Sequence, residues 1–372
     1  MNLKIALLPG DGIGPEVTAQ AVKCLQAVEE TFGHRFRFTK AAIGAAAMDL
    51  TGDPLPPETL RLCRQSDAIL FGAIGDPKYD LDPEAKVRPE QGLLRLRKEL
   101  ELFSNIRPIR VFPTMIDRSP LRKQVLKGTD LVIYRELTGG IYFGDKQLSE
   151  DGSRALDICE YSEQEISRIA HLAFKAAKGR RRKLTLVDKA NVLETSRLWR
   201  KVVGKIGESY PEVTLEFMFM DNAAMQIILH PSQFDIILTD NMFGDILSDE
   251  GSAIGGSIGL LPSASVGEQY AMFEPIHGSY PQAKGKNIAN PIASILSGAM
   301  MMEHFGLQEE TTAIVMAVYQ AMKKNIVTPD LDPKSKYGTE HVGESIASNV
   351  VDSDESPSIN KENIGLGKST II

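Results

Sequence analysis

The chain has 372 residues, of which 42% are hydrophobic and 24% are charged, and its formal net charge is −7 at pH 7. This composition is typical of a folded protein with a large core and about two domains, and the negative balance argues against a nucleic-acid partner. The three cysteines have no CxxC spacing, so neither a zinc site nor a disulfide framework is predicted. The apolar run at residues 3–8 is too short for the hydrophobic region of a secretory signal, and no apolar stretch approaches membrane-spanning length, so we expect a cytoplasmic protein without a membrane partner.

Apolar runs typical of strands alternate with helical patterns along the chain. The predicted strands are residues 3–8, 35–41, 68–72, 105–111, 131–135, 184–188, 214–220 and 234–239, and the predicted helices are residues 15–32, 57–65, 91–102, 290–304 and 311–324. This alternation predicts an α/β fold with a largely parallel sheet. After about residue 350 the sequence becomes polar and aperiodic, so residues 351–372 are expected to form a flexible C-terminal extension.

Two glycine-containing segments could bind a ligand. The turn at residues 9–16 has glycines at positions 10, 12 and 14, which do not give the G-x-G-x-x-G spacing of a Rossmann fold. It is therefore interpreted as a tight strand-to-helix turn near a site. The loop at residues 274–291 precedes a helix, so it could bind an anion through its amides or be a surface loop, and the two interpretations remain open.

The segment from Asp240 to Asp249 is the most informative part of the sequence. It follows the predicted strand at residues 234–239, and Asp245 and Asp249 are four apart, which places them on one face of a helix. Like charges at this spacing weaken a helix unless a cation lies between them, and Mg²⁺ and Mn²⁺ prefer such oxygen ligands. The alternative is a solvated acidic helix start, which the helix dipole favours.

Seven segments occur in the order found in one enzyme family. They are residues 8–16, 93–97, 105–108, 134–144, 187–193, 241–249 and 277–279. On these motifs the chain resembles the isocitrate/isopropylmalate β-decarboxylating dehydrogenases, and the isopropylmalate members most closely, over residues 3 to 345. The resemblance implies a two-domain fold of that family rather than a Rossmann fold. A discontinuous cofactor domain would comprise residues 1–102 and 256–350, and a substrate, metal and dimerisation domain residues 103–255.

The resemblance also implies the reaction. We expect NAD-dependent oxidative decarboxylation of (2R,3S)-3-isopropylmalate to 4-methyl-2-oxopentanoate in leucine biosynthesis, with D-malate/tartrate-type or isocitrate activity as alternatives. Tyr142 would be the catalytic acid and Lys189 the base, with Mg²⁺ or Mn²⁺ on Asp221, Asp245 and Asp249. The enzyme would be a homodimer with shared active sites, in which the second subunit supplies Lys189 and Asp221. A catalytically silent regulatory subunit is disfavoured because these residues are present.

Substrate recognition is expected at arginines and leucines. Guanidinium groups bind carboxylates in a bidentate manner, and an apolar pocket rejects a charged substituent. By resemblance, the substrate-binding residues are Glu90, Leu93, Leu94, Arg97, Arg107, Arg135 and Asp221.

The cofactor is expected to be NAD, although one position departs from the family pattern. NAD-using relatives often carry an aspartate where this chain has Gln282, and the Lys-Tyr pair of NADP-using relatives is also absent. The residues that the resemblance implies for cofactor binding are Ile13, Gly75, Asn191, Glu274, His277, Gly278, Ser279, Gln282, Ala283, Gly285, Asn287 and Asn290.

Overall fold

The computed structural model describes residues 1–80 and 87–351, without the side chain of Asp80. The predicted flexible extension lies outside the described residues, apart from Val351, which ends the last helix. Among the described helices, none combines the length and apolarity needed to cross a bilayer.

The described chain is an α/β protein. Its strands are β1 Asn2–Gly10, β2 Arg35–Lys40, β3 Ala68–Ala73, β4 Ser104–Arg110, β5 Asp130–Glu136, β6 Lys146–Leu148, β7 Ala155–Asp157, β8 Lys183–Asp188, β9 Thr214–Phe219, β10 Ile236–Thr239, β11 Pro262–Val266 and β12 Ala271–Pro275. Its helices are α1 Gly14–Phe32, α2 Ala45–Thr51, α3 Pro57–Arg64, α4 Pro77–Asp80, α5 Pro89–Glu99, α6 Lys123–Leu126, α7 Glu163–Gly179, α8 Glu194–Gly207, α9 Met220–Leu229, α10 Asn241–Gly255, α11 Ile292–His304, α12 Gln308–Lys323 and α13 Thr339–Val351.

The chain divides into two compact units. Among the described residues, the first unit comprises Met1–Glu101, Phe112–Ser119 and the segment that begins at Gly255. The second unit comprises Leu102–Val111 and Pro120–Ile254.

The first unit contains strands in the order β2-β1-β3-β12-β11. Neighbouring strands are parallel from β2 to β12, and β11 is antiparallel to β12. Every residue of β3 is buried, as expected of a strand that is covered on both faces. Helix α11 packs against α1 and α12 and covers β11 and β12, which explains why its run Met300–Met302 is buried.

The second unit contains strands in the order β4-β5-β10-β8-β9. The strands from β5 to β9 are parallel, and β4 is antiparallel to β5. Helix α7 begins with a capping box, in which Ser162 accepts the N–H of Glu165 and Glu165 accepts the N–H of Ser162. This unit places the ends of β5, β8 and β10, and therefore the residues that follow them, at one edge of a parallel sheet.

The predicted elements are confirmed, with ends that differ by a few residues. One correction concerns α11, which begins at Ile292 rather than at residue 290, and the side chain of Asn290 accepts the N–H of Ile292. Strands β11 and β12 were not predicted. In β11 the serines at positions 263 and 265 are buried because they donate hydrogen bonds to Glu274 of β12, so no apolar alternation marks the strand.

Candidate active site

The acidic pair in the second unit lies on α10, as predicted. Asp240 ends the loop after β10, and its carboxylate accepts the N–H of Phe243 at 2.8 Å, which caps the start of the helix. Asp245 and Asp249 then project from one face of α10, with side chains 36% and 64% exposed. Burial raises the pKa of Asp249 above its usual value.

A guanidinium lies beside both carboxylates of α10. Nη1 of Arg107, a residue of β4, is 3.7 Å from Oδ1 of Asp245 and 3.8 Å from Oδ1 of Asp249. The arginine is buried and held by Asn105 Oδ1 and Ser248 Oγ, each at 2.6 Å. The cation that offsets the repulsion between these aspartates in the described chain is therefore an arginine, with both carboxylates still partly exposed.

Arg135 joins the same group from β5. Its Nη1 donates to Asp245 Oδ1 at 2.5 Å, and its Nε and Nη2 both donate to Asn241 Oδ1, at 3.0 and 2.8 Å. The side chain is 4% exposed, so its charge depends on these partners rather than on water. Arg107 and Arg135, two of the three predicted substrate-binding arginines, thus both lie beside the carboxylate of Asp245.

Tyr142 completes this group. It lies in the short helical turn Gly140–Tyr142 after β5, and its hydroxyl donates to Asp245 Oδ2 at 3.0 Å. Burial and the charge of Asp245 raise the pKa of Tyr142, which keeps the phenol protonated at neutral pH. A protonated phenol next to carboxylate-binding guanidiniums can act as a general acid.

Lys189 and Asp221 form a separate pair in the same unit. Lys189 follows β8, Asp221 is the second residue of α9, and Lys189 Nζ is 2.5 Å from Asp221 Oδ1. This contact lowers the pKa of Asp221. Asn191 is exposed in the turn that follows Lys189.

The predicted metal ligands are only partly assembled within one chain. Among residues 1–80 and 87–351 there is no group of three or more His, Cys, Asp or Glu that could hold a metal ion, so Asp221 does not join Asp245 and Asp249. The two α10 carboxylates nevertheless suit Mg²⁺ or Mn²⁺, since they are hard oxygen donors on one helical face and both remain partly exposed.

In the first unit, α5 presents the predicted substrate residues on one face. Glu90, Leu93, Leu94 and Arg97 follow at spacings of three and four, which places them side by side on a helix. Arg97 Nη2 donates to Glu274 Oε1 at 3.0 Å. Its Nε is buried without a hydrogen-bond partner among the described residues, so a donor is available for a ligand oxygen.

The glycine turn after β1 and the loop after β12 meet in this unit. The N–H of Ile13 donates to the carbonyl of Ser279 at 2.8 Å. A Cβ at Gly12 (φ +55°) would lie 1.9 Å from that carbonyl, so only glycine fits there. A Cβ at Gly75 would lie 2.8 Å from Glu90 Oε1 and 3.5 Å from Ser279 Oγ. Ile13, Gly75, Glu90 and Ser279 are therefore neighbours, as expected if they surround a ligand.

Asp11 organises this turn and was missed by sequence reasoning. Its carboxylate is 5% exposed and accepts three main-chain N–H groups, from Ala45 at 2.9 Å, Ala46 at 2.8 Å and Gly75 at 3.0 Å. Burial raises its pKa against the lowering effect of these hydrogen bonds. The Gly-Asp-Gly sequence was a signal for a turn, but the distant amides that Asp11 binds leave no local mark.

Other predicted cofactor residues have varied surroundings. His277 has a buried Nε2 without a partner in the described part of the chain, and burial lowers its pKa, so the ring is neutral at pH 7. Gln282 and Gly278 are exposed, whereas Ala283 is buried in a small core with Ile13.

Three further positions in this loop have local structural partners. The N–H of Gly285 donates to the carboxylate of Glu16. Asn287 accepts the N–H of Glu340 at 2.9 Å, at the start of α13, and Asn290 donates to Asp330 at 3.1 Å. These contacts account for Asn287 and Asn290 as structural residues, and cofactor binding by them stays a prediction.

Comparison with known proteins identifies the family. The sequence model described as isocitrate/isopropylmalate dehydrogenase matches residues 4–346. The chain belongs to the isocitrate/isopropylmalate dehydrogenase family. It is 53% identical over 345 residues to 3-isopropylmalate dehydrogenase of Bacteroides fragilis, covering 92% of this chain and 97% of the relative. It is 49% identical over 353 residues to 3-isopropylmalate dehydrogenase of Aquifex aeolicus, covering 93% and 97%.

Solved structures of the family share the fold. Isocitrate dehydrogenase from Methylococcus capsulatus superimposes with a TM-score of 0.85 at 34% identity, over 94% of this chain and all of the other. A β-decarboxylating dehydrogenase from Thermococcus kodakarensis gives a TM-score of 0.78 at 35% identity, over 96% and 99%. The predicted family and α/β fold are thereby confirmed.

Proposed function

We propose that this member of the isocitrate/isopropylmalate dehydrogenase family oxidatively decarboxylates (2R,3S)-3-isopropylmalate to 4-methyl-2-oxopentanoate in leucine biosynthesis, with NAD and Mg²⁺ or Mn²⁺. The observation that carries the proposal is the group formed by Asp245, Arg107, Arg135 and Tyr142. It combines carboxylate-binding guanidiniums, hard metal ligands and a protonated acid, and this reaction uses all three. The names of the relatives at 49% to 53% identity support the same substrate.

The choice of substrate depends on the face of α5. Leu93 and Leu94 are the apolar members of that face, and they would contact the isopropyl group. A third carboxylate in the same position would lose its hydration against two leucines, which costs several kcal/mol when no partner replaces the water. This argument disfavours isocitrate. It disfavours D-malate or tartrate only weakly, because an apolar pocket resists a missing group less.

The arginines would bind and orient the substrate. Arg107 and Arg135 are buried and already paired with carboxylates, so a substrate carboxylate can replace those partners without exposing the guanidiniums to a new desolvation cost. Arg97, with its unpartnered Nε, would hold a substrate carboxylate as well. Planar guanidinium groups fix the direction as well as the charge of the bound oxygens.

The divalent cation would be held by three carboxylates. Asp245, Asp249 and Asp221 would hold the cation, with Asp221 supplied by a second subunit. When bound, the cation would favour loss of the hydroxyl proton and would stabilise negative charge on the adjacent oxygens, and NAD would serve as the hydride acceptor.

Two side chains would move protons. Lys189 would take the proton from the C2 hydroxyl, through a water, as hydride leaves C2. Loss of CO₂ from the resulting 3-carboxy-2-oxo acid leaves an enolate, and Tyr142 would deliver its phenolic proton to the enolate carbon. The raised pKa of Tyr142 supports this order, because the acid must still hold its proton when the enolate forms.

The expected preference for NAD rests on the absence of the Lys-Tyr pair that NADP-using relatives carry, because Gln282 does not discriminate between the two cofactors. Gln282 is exposed beside the buried Ala283, and its side chain is neutral, so it would neither repel a 2′-phosphate nor pair with it. A ratio of kcat/KM for NAD over NADP above about tenfold supports NAD, and a preference for NADP contradicts it.

A homodimer is also proposed. The second unit exposes large apolar side chains on β6, β7, α9 and α10, and such side chains mark contact surfaces; they are Leu148, Leu156, Met225, Leu229 and Ile246. Sedimentation equilibrium at micromolar concentration would give twice the mass of the chain, and a monomer would contradict the shared active site.

The function is tested by one assay on four substrates. NAD reduction is followed with isopropylmalate, isocitrate, D-malate and tartrate under the same conditions with Mn²⁺. We expect kcat/KM to be highest for isopropylmalate by at least about tenfold, since losing the isopropyl group removes about 1–3 kcal/mol of contact. A higher value for isocitrate contradicts the assignment of Leu93 and Leu94, and no NAD reduction on any of the four contradicts the proposed reaction.

A further inference from the structure

Asn241 lies at the first position of α10 and is 1% exposed. Its side-chain oxygen accepts two hydrogen bonds from Arg135, and its side-chain nitrogen donates to the carbonyl of Gly139 at 3.0 Å. The amide therefore contacts two different parts of the second unit, the guanidinium of Arg135 and the main chain of the segment before Tyr142.

The segment at residues 137–142 is here called the Tyr142 loop. The main-chain N–H groups of three consecutive residues in this loop donate hydrogen bonds. The N–H groups of Thr138 and Gly139 donate to the buried carboxylate of Glu136, at 3.1 and 2.7 Å. The N–H of Gly140 donates to the carbonyl of Glu160 at 3.1 Å. The side chain of Asn241 donates a hydrogen bond to the Gly139 carbonyl. This hydrogen bond holds the Tyr142 loop against the start of α10.

Tyr161 supports Asn241 and the loop together. Its hydroxyl accepts the main-chain N–H of Asn241 at 3.0 Å. A Cβ at Gly140, where φ is +72°, would lie 2.2 Å from the same hydroxyl oxygen, so the tyrosine lies directly against the loop backbone. The position of Asn241 is thus coupled to the position of the loop through two independent contacts.

The far end of the loop carries the proposed acid. Tyr142 donates to Asp245 Oδ2, while Arg135 donates to Asp245 Oδ1, and the Arg135 guanidinium lies 5.8 Å from the centre of the Tyr142 ring. A shift of the loop relative to Arg135 would therefore change the distance between the phenol and any substrate that Arg135 binds. Proton transfer is sensitive to errors of this size.

We propose that Asn241 is a positioning residue that sets the Tyr142 loop relative to Arg135, so that the phenol meets the substrate at the right distance. The inference rests on the proposed function, because it concerns the proton that Tyr142 delivers. It predicts that loss of the Gly139 contact slows the last proton transfer and leaves hydride transfer unaffected.

Asn241→Asp separates the two contacts. The carboxylate keeps an acceptor for Arg135 and suits the start of a helix, but it cannot donate to the Gly139 carbonyl when it is ionised. Tyr161→Phe is the second variant, since it removes only the acceptor for the Asn241 N–H and keeps the ring against the loop. Asn349→Asp is the matched control, because Asn349 also donates to a main-chain carbonyl, that of Ala317 at 3.3 Å, and lies in the first unit.

The experiment is stopped-flow NADH formation by the full-length protein with Mn²⁺ at pH 8, using the substrate that the wild type oxidises fastest. For Asn241→Asp we expect a first turnover of NADH within about threefold of the wild-type rate. A steady-state rate about tenfold or more lower should follow, with the substrate KM lowered in proportion so that kcat/KM stays within about threefold, because protonation follows hydride transfer and loss of CO₂. Tyr142→Phe should give the same pattern, Tyr161→Phe a weaker form of it, and Asn349→Asp wild-type kinetics.

Three results would overturn the inference. One is a first turnover that slows in proportion to the steady state. Another is a rise in substrate KM with kcat unchanged, which would assign Asn241 to Arg135 alone. The third is wild-type kinetics in both Asn241→Asp and Tyr161→Phe. If Asn241→Asp does not fold, as judged by its thermal unfolding, Tyr161→Phe decides between these outcomes. A wild type that reduces NAD with none of the four substrates contradicts the proposed function and the inference together, whereas an active wild type with unaffected variants contradicts the inference alone.

Discussion

Asp245 in the second unit and Asp11 in the first are both carboxylates near proposed binding residues, yet their partners differ in kind. Asp245 is 36% exposed and contacts the side chains of Arg135 and Tyr142. Asp11 is 5% exposed and accepts three main-chain N–H groups, including that of Gly75. Side-chain partners can be exchanged for a substrate or a cation, whereas main-chain partners fix the path of loops. We therefore expect Asp245 to take part in binding a substrate or a cation, and Asp11 to fix the conformation of the loops that it contacts.

The largest effect is expected from Lys189→Ala. Loss of a general base typically lowers turnover by about a hundredfold or more, with a smaller change in substrate KM. The matched control is Lys183→Ala, which removes a similar ion pair, Lys183 with Glu216 at 2.9 Å, at the other end of the same strand. Steady-state kinetics with isopropylmalate would compare the two variants. A loss of less than about tenfold for Lys189→Ala, or an equal loss for the control, would remove the role given to Lys189.

A smaller effect is expected from Leu94→Ala on α5. The side chain is half-buried and belongs to the face that includes Arg97. Removing its methyl groups should lower the ratio of kcat/KM for isopropylmalate over D-malate by roughly tenfold, since the lost contact is worth about 1–3 kcal/mol. The ratio is its own control, because damage to the whole enzyme lowers both values. An unchanged ratio would place the isopropyl group elsewhere.

Asp11→Asn should act on the cofactor alone. An asparagine cannot accept all three main-chain N–H groups without turning its own NH₂ toward one of them, so Gly75 would shift. We expect KM for NAD to rise by about fivefold or more, with KM for isopropylmalate within about twofold. Asp67→Asn is the control, because Asp67 also accepts a main-chain N–H, that of Lys4 at 2.6 Å, at the other end of β1. Equal rises in both KM values would show that Asp11 does not act through the cofactor side.

The smallest effect on turnover, and a clear one on stability, is expected from Asp240→Asn. Burial raises the pKa of Asp240 from 3.8 to about 7. The folded chain therefore holds a proton that the unfolded chain releases above about pH 4, and stability is lost as pH rises through about 7. The amide can still accept the N–H of Phe243 but does not ionise. Its gain over the wild type should grow between pH 5 and pH 8, by at most roughly 3 kcal/mol, because only the two pH units from 5 to about 7 contribute in this range.

Urea unfolding at the two pH values measures this difference. If the stability of the variant and that of the wild type change with pH in parallel, Asp240 is not the group that titrates. Activity at neutral pH serves as a check that the site is intact, since Asp240 has no proposed contact with substrate.

The sequence was sufficient for most of the fold because the pattern of burial is local. The apolar runs of β3 and β10 and the proline-led start of α1 each carry a signal within a few residues. Strand β11 carries no such local signal. Its buried serines donate hydrogen bonds to β12, and this pairing is visible only in the tertiary structure. The same reason explains why the sequence predicted a turn at residues 9–16 but not the contact between Asp11 and the N–H of Gly75.

The order of motifs predicted which residues form the candidate site, but it did not predict which arginine pairs with which aspartate. Residue spacing indicated that Asp245 and Asp249 share a face, and family resemblance indicated Arg107 and Arg135. The structure adds that a guanidinium lies within 4 Å of both carboxylates, at 3.7 and 3.8 Å. Which arginine meets which aspartate depends on the order of strands in the second unit, and strand order is not encoded by spacing along the chain.

The roles expected for Asp245 and Asp11 are separated most directly by measuring the binding of Mn²⁺ and NAD to one variant of each. Mn²⁺ binding in the presence of isopropylmalate is followed by electron paramagnetic resonance, and NAD binding by calorimetry, for Asp245→Asn and Asp11→Asn. We predict that Asp245→Asn weakens Mn²⁺ binding by about tenfold or more and leaves NAD affinity within about twofold, and that Asp11→Asn does the reverse. Unchanged Mn²⁺ binding by Asp245→Asn, or equal loss of affinity for both ligands in either variant, would contradict the account. Asp245 would then not be a cation ligand, or Asp11 would not act only through the loops near the cofactor.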